Sequence, residues 1–348
     1  MIQQTEGIKL TQYSQRSGCG CKIPADQLET IIGTDHMIPD ANLLVGIESK
    51  DDAALYDLGD GTAVISTTDF FTPMVNDPVE YGRIAAVSAL NNVYAMGGVP
   101  MMALAVLGWP TDKLPVEVAQ QVIQGARQAC QEAGIHLAGG HSIISPEPIF
   151  GLNVSGRVNV GNIRTNTGAH AGQKLFLTKP LGMGIYTQAL KEDQLSEEHL
   201  AVAKEQMTQL NKIGEVFSKF AYVKSMTDVS GFGLVGHLMH MCEASRVRAE
   251  LIFDQIPLLP GLAEYVERGL VSGGMEANFE AFESHLGEMS AFQRAVLCDP
   301  QISGGLLVSV VPEYENEFVQ MAKGLSMELI SIGSLAEIKE GHPTLSVF

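Results

Sequence analysis

The chain has 348 residues, 45% hydrophobic and 18% charged, which suits about two folded domains and excludes a disordered chain. Acidic residues number 40 against 22 basic ones, a formal net charge of −18 with no local run of Lys or Arg, so a nucleic-acid partner is not expected. No stretch approaches the roughly 18–20 uninterrupted apolar residues of a membrane helix, and the polar start MIQQTEGIKLTQYSQ lacks a signal core, so a cytoplasmic protein without membrane contact is expected.

Residues 1–50 are rich in Gly, polar residues and turn formers, with one short helix expected near Ala25–Ile32. They offer little apolar surface to anchor them, so a mobile segment is expected. The β-branched run TAVISTT (Thr62–Thr68) predicts a buried strand ending at Asp69. An amphipathic helix fits Val79–Met96, stopped by Gly97-Gly98 and Pro100. A strand (Met102–Leu107), a helix (Val116–Ala133, closed by Gly134), a short strand (Ile135–Ala138) and a strand near Phe150–Val158 complete the first half. The second half opens near Gly161 with polar turns. It continues with a strand at Lys174–Thr178, a long helical region at Leu195–Phe220, a strand ending at Asp228 and a helix from Leu234. Leu306–Val311 and Glu328–Ile332 are the later expected strands. Strands and helices mix without strict alternation, which points to two α+β domains.

Three places put a carboxylate in a turn or at an expected strand end: Asp51-Asp52 in ESKDDAAL, Asp69 in STTDFF and Asp228 in MTDVSGFG. A lone Asp in such a place usually caps the segment that follows. Three of them in one chain favour a crevice in which Mg²⁺ joins carboxylates to phosphates. Two glycine-bearing turns offer backbone N–H groups to an anion: Gly139-Gly140-His141-Ser142, and Ser230-Gly231-Phe232-Gly233 at a helix start. Neither matches a Walker A or dinucleotide pattern, and His141 alone reads more simply as a packing residue.

Of the five cysteines, Cys130, Cys242 and Cys298 sit in apolar or helical contexts and read as small core residues. An odd, scattered set argues against a disulfide framework. Cys19 and Cys21, in Gly18-Cys19-Gly20-Cys21-Lys22, differ: the neighbouring lysine favours a thiolate, and no second Cys/His pair completes a zinc site.

Taken together, LTQYSQRSGCGCK, NLLVGIESKDDAALYDL, STTDFFTPMV, YAMGG, LAGGHSI, PEPIFGL, KLFLTKPLG, MTDVSGFGLVGHL and CDPQISGGLL resemble the bacterial selenophosphate synthetases (selenide, water dikinases), from about residue 9 to the C-terminus. The resemblance implies the aminoimidazole ribonucleotide synthetase-like fold. This comprises a mobile segment (1–50), an N-terminal ATP-binding α/β domain (51–160) whose sheet pairs across a homodimer, and a C-terminal α+β domain (161–348). ATP, selenide and water would give selenophosphate, AMP and orthophosphate, with Mg²⁺ as cofactor and a selenium-delivery protein as a further partner. By matching positions, Cys19 and Lys22 are the catalytic pair. Lys22, Ser49, Lys50, Asp51, Asp69, Asn92, Gly140, His141 and Ser142 meet the nucleotide, and Asp52, Asn92 and Asp228 hold the metal.

One position departs from the family pattern. Asn92 stands where that pattern has an Asp, so the metal site carries one charge fewer. Asn91 is no substitute, because neighbours on a helix point about 100° apart. Two other readings follow: another ATP-using kinase or ligase of the superfamily, against which the Cys19/Lys22 segment argues, or a catalytically weak nucleotide-binding regulator, which Asn92 favours.

Overall fold

The computed structural model describes residues 8–14, 22–23, 25–33, 40–48 and 50–348. In chain order the first half holds α1 (Ala25–Ile32), β1 (Leu43–Val45), β2 (Ala54–Asp57), β3 (Thr62–Phe71), α2 (Pro78–Ala95), β4 (Val99–Trp109), α3 (Val116–Ala133), β5 (His136–Ile144) and β6 (Ile149–Asn159). The second half holds β7 (Lys174–Leu177), α4 (Met183–Lys191), α5 (Glu197–Thr208), α6 (Ile213–Phe217), β8 (Val223–Asp228), α7 (Gly233–Ser245) and β9 (Val247–Leu251). After these come α8 (Leu262–Glu267), α9 (Gly273–Phe282), α10 (Ala291–Leu297), β10 (Leu306–Val310), α11 (Glu315–Gly324), β11 (Ser331–Glu337) and β12 (Leu345–Val347). No described helix is long and apolar enough to cross a membrane.

Among the described residues each half builds one six-stranded sheet, ordered β1-β2-β3-β6-β4-β5 and β12-β9-β11-β7-β10-β8. Both sheets are mainly antiparallel, with one parallel pair each, β4/β5 and β12/β9. This is the expected two-domain α+β architecture. Along β3 the side chains alternate: Ala63, Ile65, Thr67, Asp69 and Phe71 are buried, whereas Ser66, Thr68 and Phe70 face outward. Helices α2 and α3 cover the buried face, and the opposite face is bare over much of β4 and β5.

Helix α2 starts cleanly, with Pro78 in its first turn and the Asp77 side chain accepting the Glu80 N–H. It forms where the sequence places it, but both of its faces are covered, not one. From Tyr81 onward nearly every residue is buried, because α2 lies between its own sheet and β8, α5 and α6 of the second half. Small residues allow that packing. A Cβ on Gly82 would sit 1.8 Å from the Val122 carbonyl oxygen on α3, and one on Gly125 equally close to that of Val79. The segment between the halves is tied down by Arg164, whose buried guanidinium donates to the carbonyls of Ile163 (2.9 Å) and Phe220 (3.1 Å).

Four other expectations change. Asp69 lies within β3 and not at its end, since pairing with β6 continues to Phe71. The Gly139-Gly140-His141-Ser142 run is strand, not turn: β5 stays paired with β4 through Ile144. The long helical region at Leu195–Phe220 resolves into two helices, divided where Asn211 bonds away to Asn91 and Gly304. The strand expected at Glu328–Ile332 instead begins at Ser331, where pairing with β7 starts.

The α2–α3 contact generates a stability test. Gly125→Ala should lower the stability of the chain by about 1–3 kcal/mol or more, the cost of forcing atoms into a packed interface, read as a lower urea midpoint. An unchanged midpoint would mean that the two helices separate freely.

Candidate active site

Asp52 stands in the turn before β2, and Asp228 ends β8 at the edge of the second sheet, held there by pairing with Leu306. The two meet across the boundary between the halves. The Thr227 hydroxyl donates to Asp52 Oδ1 (3.0 Å), and the Asp228 backbone N–H donates to Asp52 Oδ2 (3.3 Å). Burial and the facing Asp228 carboxylate push the Asp52 pKa well above the ordinary carboxylate value. Asp228, only 2% exposed, is held up at about 6, mainly by burial. Such a pair favours a cation beside it.

Lys22 brings one close. Its ammonium lies 3.2 Å from Asp69 Oδ1 and 5.4 Å above the Phe71 ring. Burial raises the Asp69 pKa and the Lys22 charge opposes that rise. The same charge also lowers Asp228. Asn92 reaches this place from α2: its Nδ2 donates to Thr67 Oγ1 (3.0 Å), and the Thr67 hydroxyl donates to the Asp52 carbonyl oxygen (3.0 Å).

Other expected residues are placed differently. Asp51 Oδ1 accepts the Asn166 N–H (2.6 Å), joining the site to the inter-domain segment, and the Lys50 carbonyl accepts from Asn166 Nδ2 (3.0 Å). Lys50 itself has φ 52° and pairs with Glu243 at 3.6 Å. Gly140, His141 and Ser142 are not brought to Asp69 within this chain. Asp69, Leu152, Ala105 and Gly140 form one row across the sheet, so three strand spacings, roughly 14 Å, separate its ends. Gly140 serves the pairing, since a Cβ there would meet the Ala105 carbonyl oxygen at 2.2 Å. Cys19, Cys21 and Ser49 lie outside the described residues.

Among the described residues no three His, Cys, Asp or Glu side chains gather closely enough to hold a metal by themselves. Asp52 and Asp228 meet directly, and the Asp69 carboxylate, paired with Lys22, is near enough for its charge to raise Asp228 further. A pair of carboxylates and an amide oxygen is a hard-oxygen donor set of the kind Mg²⁺ accepts when phosphates and water complete its shell. The turn after β8 is positioned as expected: Ser230–Gly233 leads into α7, and the Ser230 N–H donates to Nε2 of the buried His237 (3.0 Å).

Several contributors escape a reading of the sequence. Thr67 and Thr227 stand beside recognised aspartates, so their motifs contain the signal. Asn166 carries none, because its role depends on a contact 115 residues away.

Comparison with known proteins adds to this geometry. Residues 50–158 match the family model "AIR synthase related protein, N-terminal domain", and residues 170–344 match its C-terminal domain. A protein of Photorhabdus laumondii subsp. laumondii named selenide, water dikinase is 51% identical over 341 residues, 98% of each chain. One of the same name from Photobacterium profundum is 53% identical over 334 residues, covering 95% of this chain and 96% of that one. Among solved structures, thiamine-monophosphate kinase from Stenotrophomonas maltophilia superposes with a TM-score of 0.64 at 18% identity, covering 92% of this chain and 94% of that one. Hydrogenase maturation protein HypE in complex with ATP gives 0.65 at 14% identity, covering 97% and 94%. At such identities these two establish a shared fold.

The raised carboxylates have a measurable consequence. A carboxyl whose folded pKa exceeds its unfolded value stabilises at low pH, and that contribution is lost as pH rises through the folded value, here about 6 for Asp228. Asp52→Asn should therefore raise the Tm of the ligand-free protein at pH 8 by about 2–4 °C, the scale of roughly 1 kcal/mol. At pH 5 the gain should shrink, since the pair then holds a proton. A variant equally or less stable at pH 8 would contradict the electrostatic account.

Proposed function

The chain belongs to the selenide, water dikinase family, and on that premise we propose that it converts ATP, hydrogen selenide and water to selenophosphate, AMP and orthophosphate. The selenophosphate supplies selenium for selenocysteine and selenouridine. The observation that carries this reading is identity of 51% and 53% to dikinases along nearly the whole chain.

ATP is placed between the two halves, beside the Asp52–Asp228 contact. Asp52, Asn92 and Asp228 would hold Mg²⁺, whose chemistry is to neutralise charge on the triphosphate. The paired carboxylates and their raised pKa values support that assignment. Lys22 steadies phosphoryl oxygens as a point charge, exchanging its Asp69 partner for phosphate. Asp69, Lys50, Asp51 and Ser49 fix the nucleotide in the same cleft. Cys19 handles selenium as a soft nucleophile, with the Lys22 cation favouring its thiolate.

Gly140, His141 and Ser142 act on the nucleotide bound by a second copy of the chain. Their distance from Asp69 within one chain supports a homodimer, as do the open edge of β5 and the exposed Met102, Leu104 and Ile143 beside it. Both selenide and the cysteine thiols suit the reducing cytoplasm, where a selenium-delivery protein would complete the set of partners.

Product analysis tests the reading. ATP with selenide should yield AMP, orthophosphate and selenophosphate; ADP formed without selenide would instead indicate another kinase of the superfamily. Cys19→Ser should abolish selenophosphate formation while ATP binding persists, and Cys21→Ser should be much milder. Equal losses in the two variants, or full activity in Cys19→Ser, would overturn the assignment of the thiol.

A further inference from the structure

Asp52, in the turn before β2, and Asp228, at the end of β8, come from different halves of the chain, and a buried polar network that contains neither side chain adjoins the end of β8. At its centre is Lys179, two residues beyond β7 and 5% exposed. Its Nζ lies 2.7 Å from the Gln209 carbonyl oxygen, 2.8 Å from that of Ser303 and 3.4 Å from that of Gln206. An ammonium has three N–H donors and no acceptor, so three carbonyl oxygens match the charged form; a neutral amine offers only two donors. Burial draws its pKa down to about 7, and the nearby Asp228 carboxylate opposes that fall.

The Ser303 carbonyl belongs to a constrained loop. Ser303 has φ 51°, a left-handed backbone unusual for serine, and is fully surrounded. Its hydroxyl accepts from Asn91 Nδ2 (2.9 Å), while Asn91 Oδ1 accepts the Asn211 N–H (2.8 Å). Asn211 Nδ2 in turn donates to the Gly304 carbonyl (2.8 Å). Gly304 and Gly305 fill the space between Lys179 and the residue after Asp228. A Cβ on Gly304 would meet the Val229 carbonyl oxygen at 1.9 Å, and one on Gly305 would meet Lys179 N at 2.3 Å. The Val229 N–H donates to the Gly305 carbonyl at 2.8 Å. One loop thus touches Lys179, the end of β8 and the residue beside Asn92.

We propose that Lys179 is a positioning residue for the inter-domain site: its ammonium seats the Ser303–Gly305 loop, which holds Asp228 in register with α2 and so with Asn92. The inference rests on the reading of Asp52, Asn92 and Asp228 as the metal-bearing edge of the nucleotide site. Lys179 touches neither nucleotide nor selenium. It acts through Ser303 and Asn91, and its loss spoils geometry, not chemistry. Asn91 acquires a function from the same network: it locks α2 to the second half, while its neighbour Asn92 faces the site.

The test is Mg²⁺-dependent binding of a fluorescent, non-hydrolysable ATP analogue to the full chain, with folding checked by circular dichroism. Lys179→Met removes the ammonium at similar length. Ser303→Ala leaves the carbonyl that Lys179 uses and deletes only the hydroxyl that receives Asn91, so it tests the relay even where Lys179→Met does not fold. Both variants should raise the Mg²⁺ concentration for half-saturation about tenfold, the scale of losing an outer partner of a metal site. The double variant should be no worse than the more affected single one, because the residues act in series. A merely structural lysine would lower Tm without moving the Mg²⁺ requirement. An unchanged requirement in folded Ser303→Ala, or additive effects in the double variant, overturns the proposal. Binding without Mg²⁺ dependence in the unaltered protein would overturn the metal-site reading and this proposal with it.

Discussion

Two like-charged carboxylates are held against each other where the halves of the chain meet, and much of the structure is arranged around that contact. Asp52 accepts from Thr227 and from the Asp228 N–H, so the second half reaches over to satisfy a carboxylate of the first. Such a pair, taken from water, raises its own pKa values and costs stability at neutral pH. Lys22 eases this cost from the side of Asp69. On the proposed reading, a divalent cation with a triphosphate would remove it, so the contact that costs the free protein stability would suit the bound nucleotide.

The contact depends on α2. Because most of that helix is buried between its sheet and the second half, a polar residue such as Asn91 cannot face water and must find partners. Asn91 and Asn92 turn to different ones. Asn91 bonds to Ser303 and Asn211, and Asn92 bonds to Thr67. In the Asn92–Thr67–Asp52 chain the amide donates at one end and a carbonyl accepts at the other. A carboxylate at position 92 would compete with the Asp52 carbonyl for the Thr67 proton unless a metal occupied it. The amide therefore keeps the ligand-free arrangement satisfied, at the expense of one charge in the proposed metal site.

Much of this is legible in the residues. The strand ending in Asp228, the glycine-closed α3 and the run of motifs from Cys19 to Gly305 identify the family, and local signals such as Gly134 and Gly97-Gly98 mark helix ends. What is not legible depends on long-range packing. The burial of α2 on both sides comes from the second half of the chain, and no periodicity within the helix announces it. Gly140 reads in the sequence as room for an anion, but its missing Cβ accommodates β4. Asn166 carries no local signature, and Lys179 stands in the KLFLTKPLG motif with nothing there to show its role: their partners are carbonyls and carboxylates more than 20 residues away in sequence.

In the proposed site, Asp228 and the position of Asn92 belong to one metal-binding edge shared by the two halves. Calorimetric titration of Mg²⁺ into protein saturated with a non-hydrolysable ATP analogue tests it most directly. Asp228→Asn should weaken Mg²⁺ binding by roughly 10–100-fold, and Asn92→Asp should tighten it by about tenfold, by analogy with the smaller changes known around metal sites. Shifts in opposite directions at positions from opposite halves are the predicted result. Mg²⁺ affinity unchanged in both variants would contradict the account.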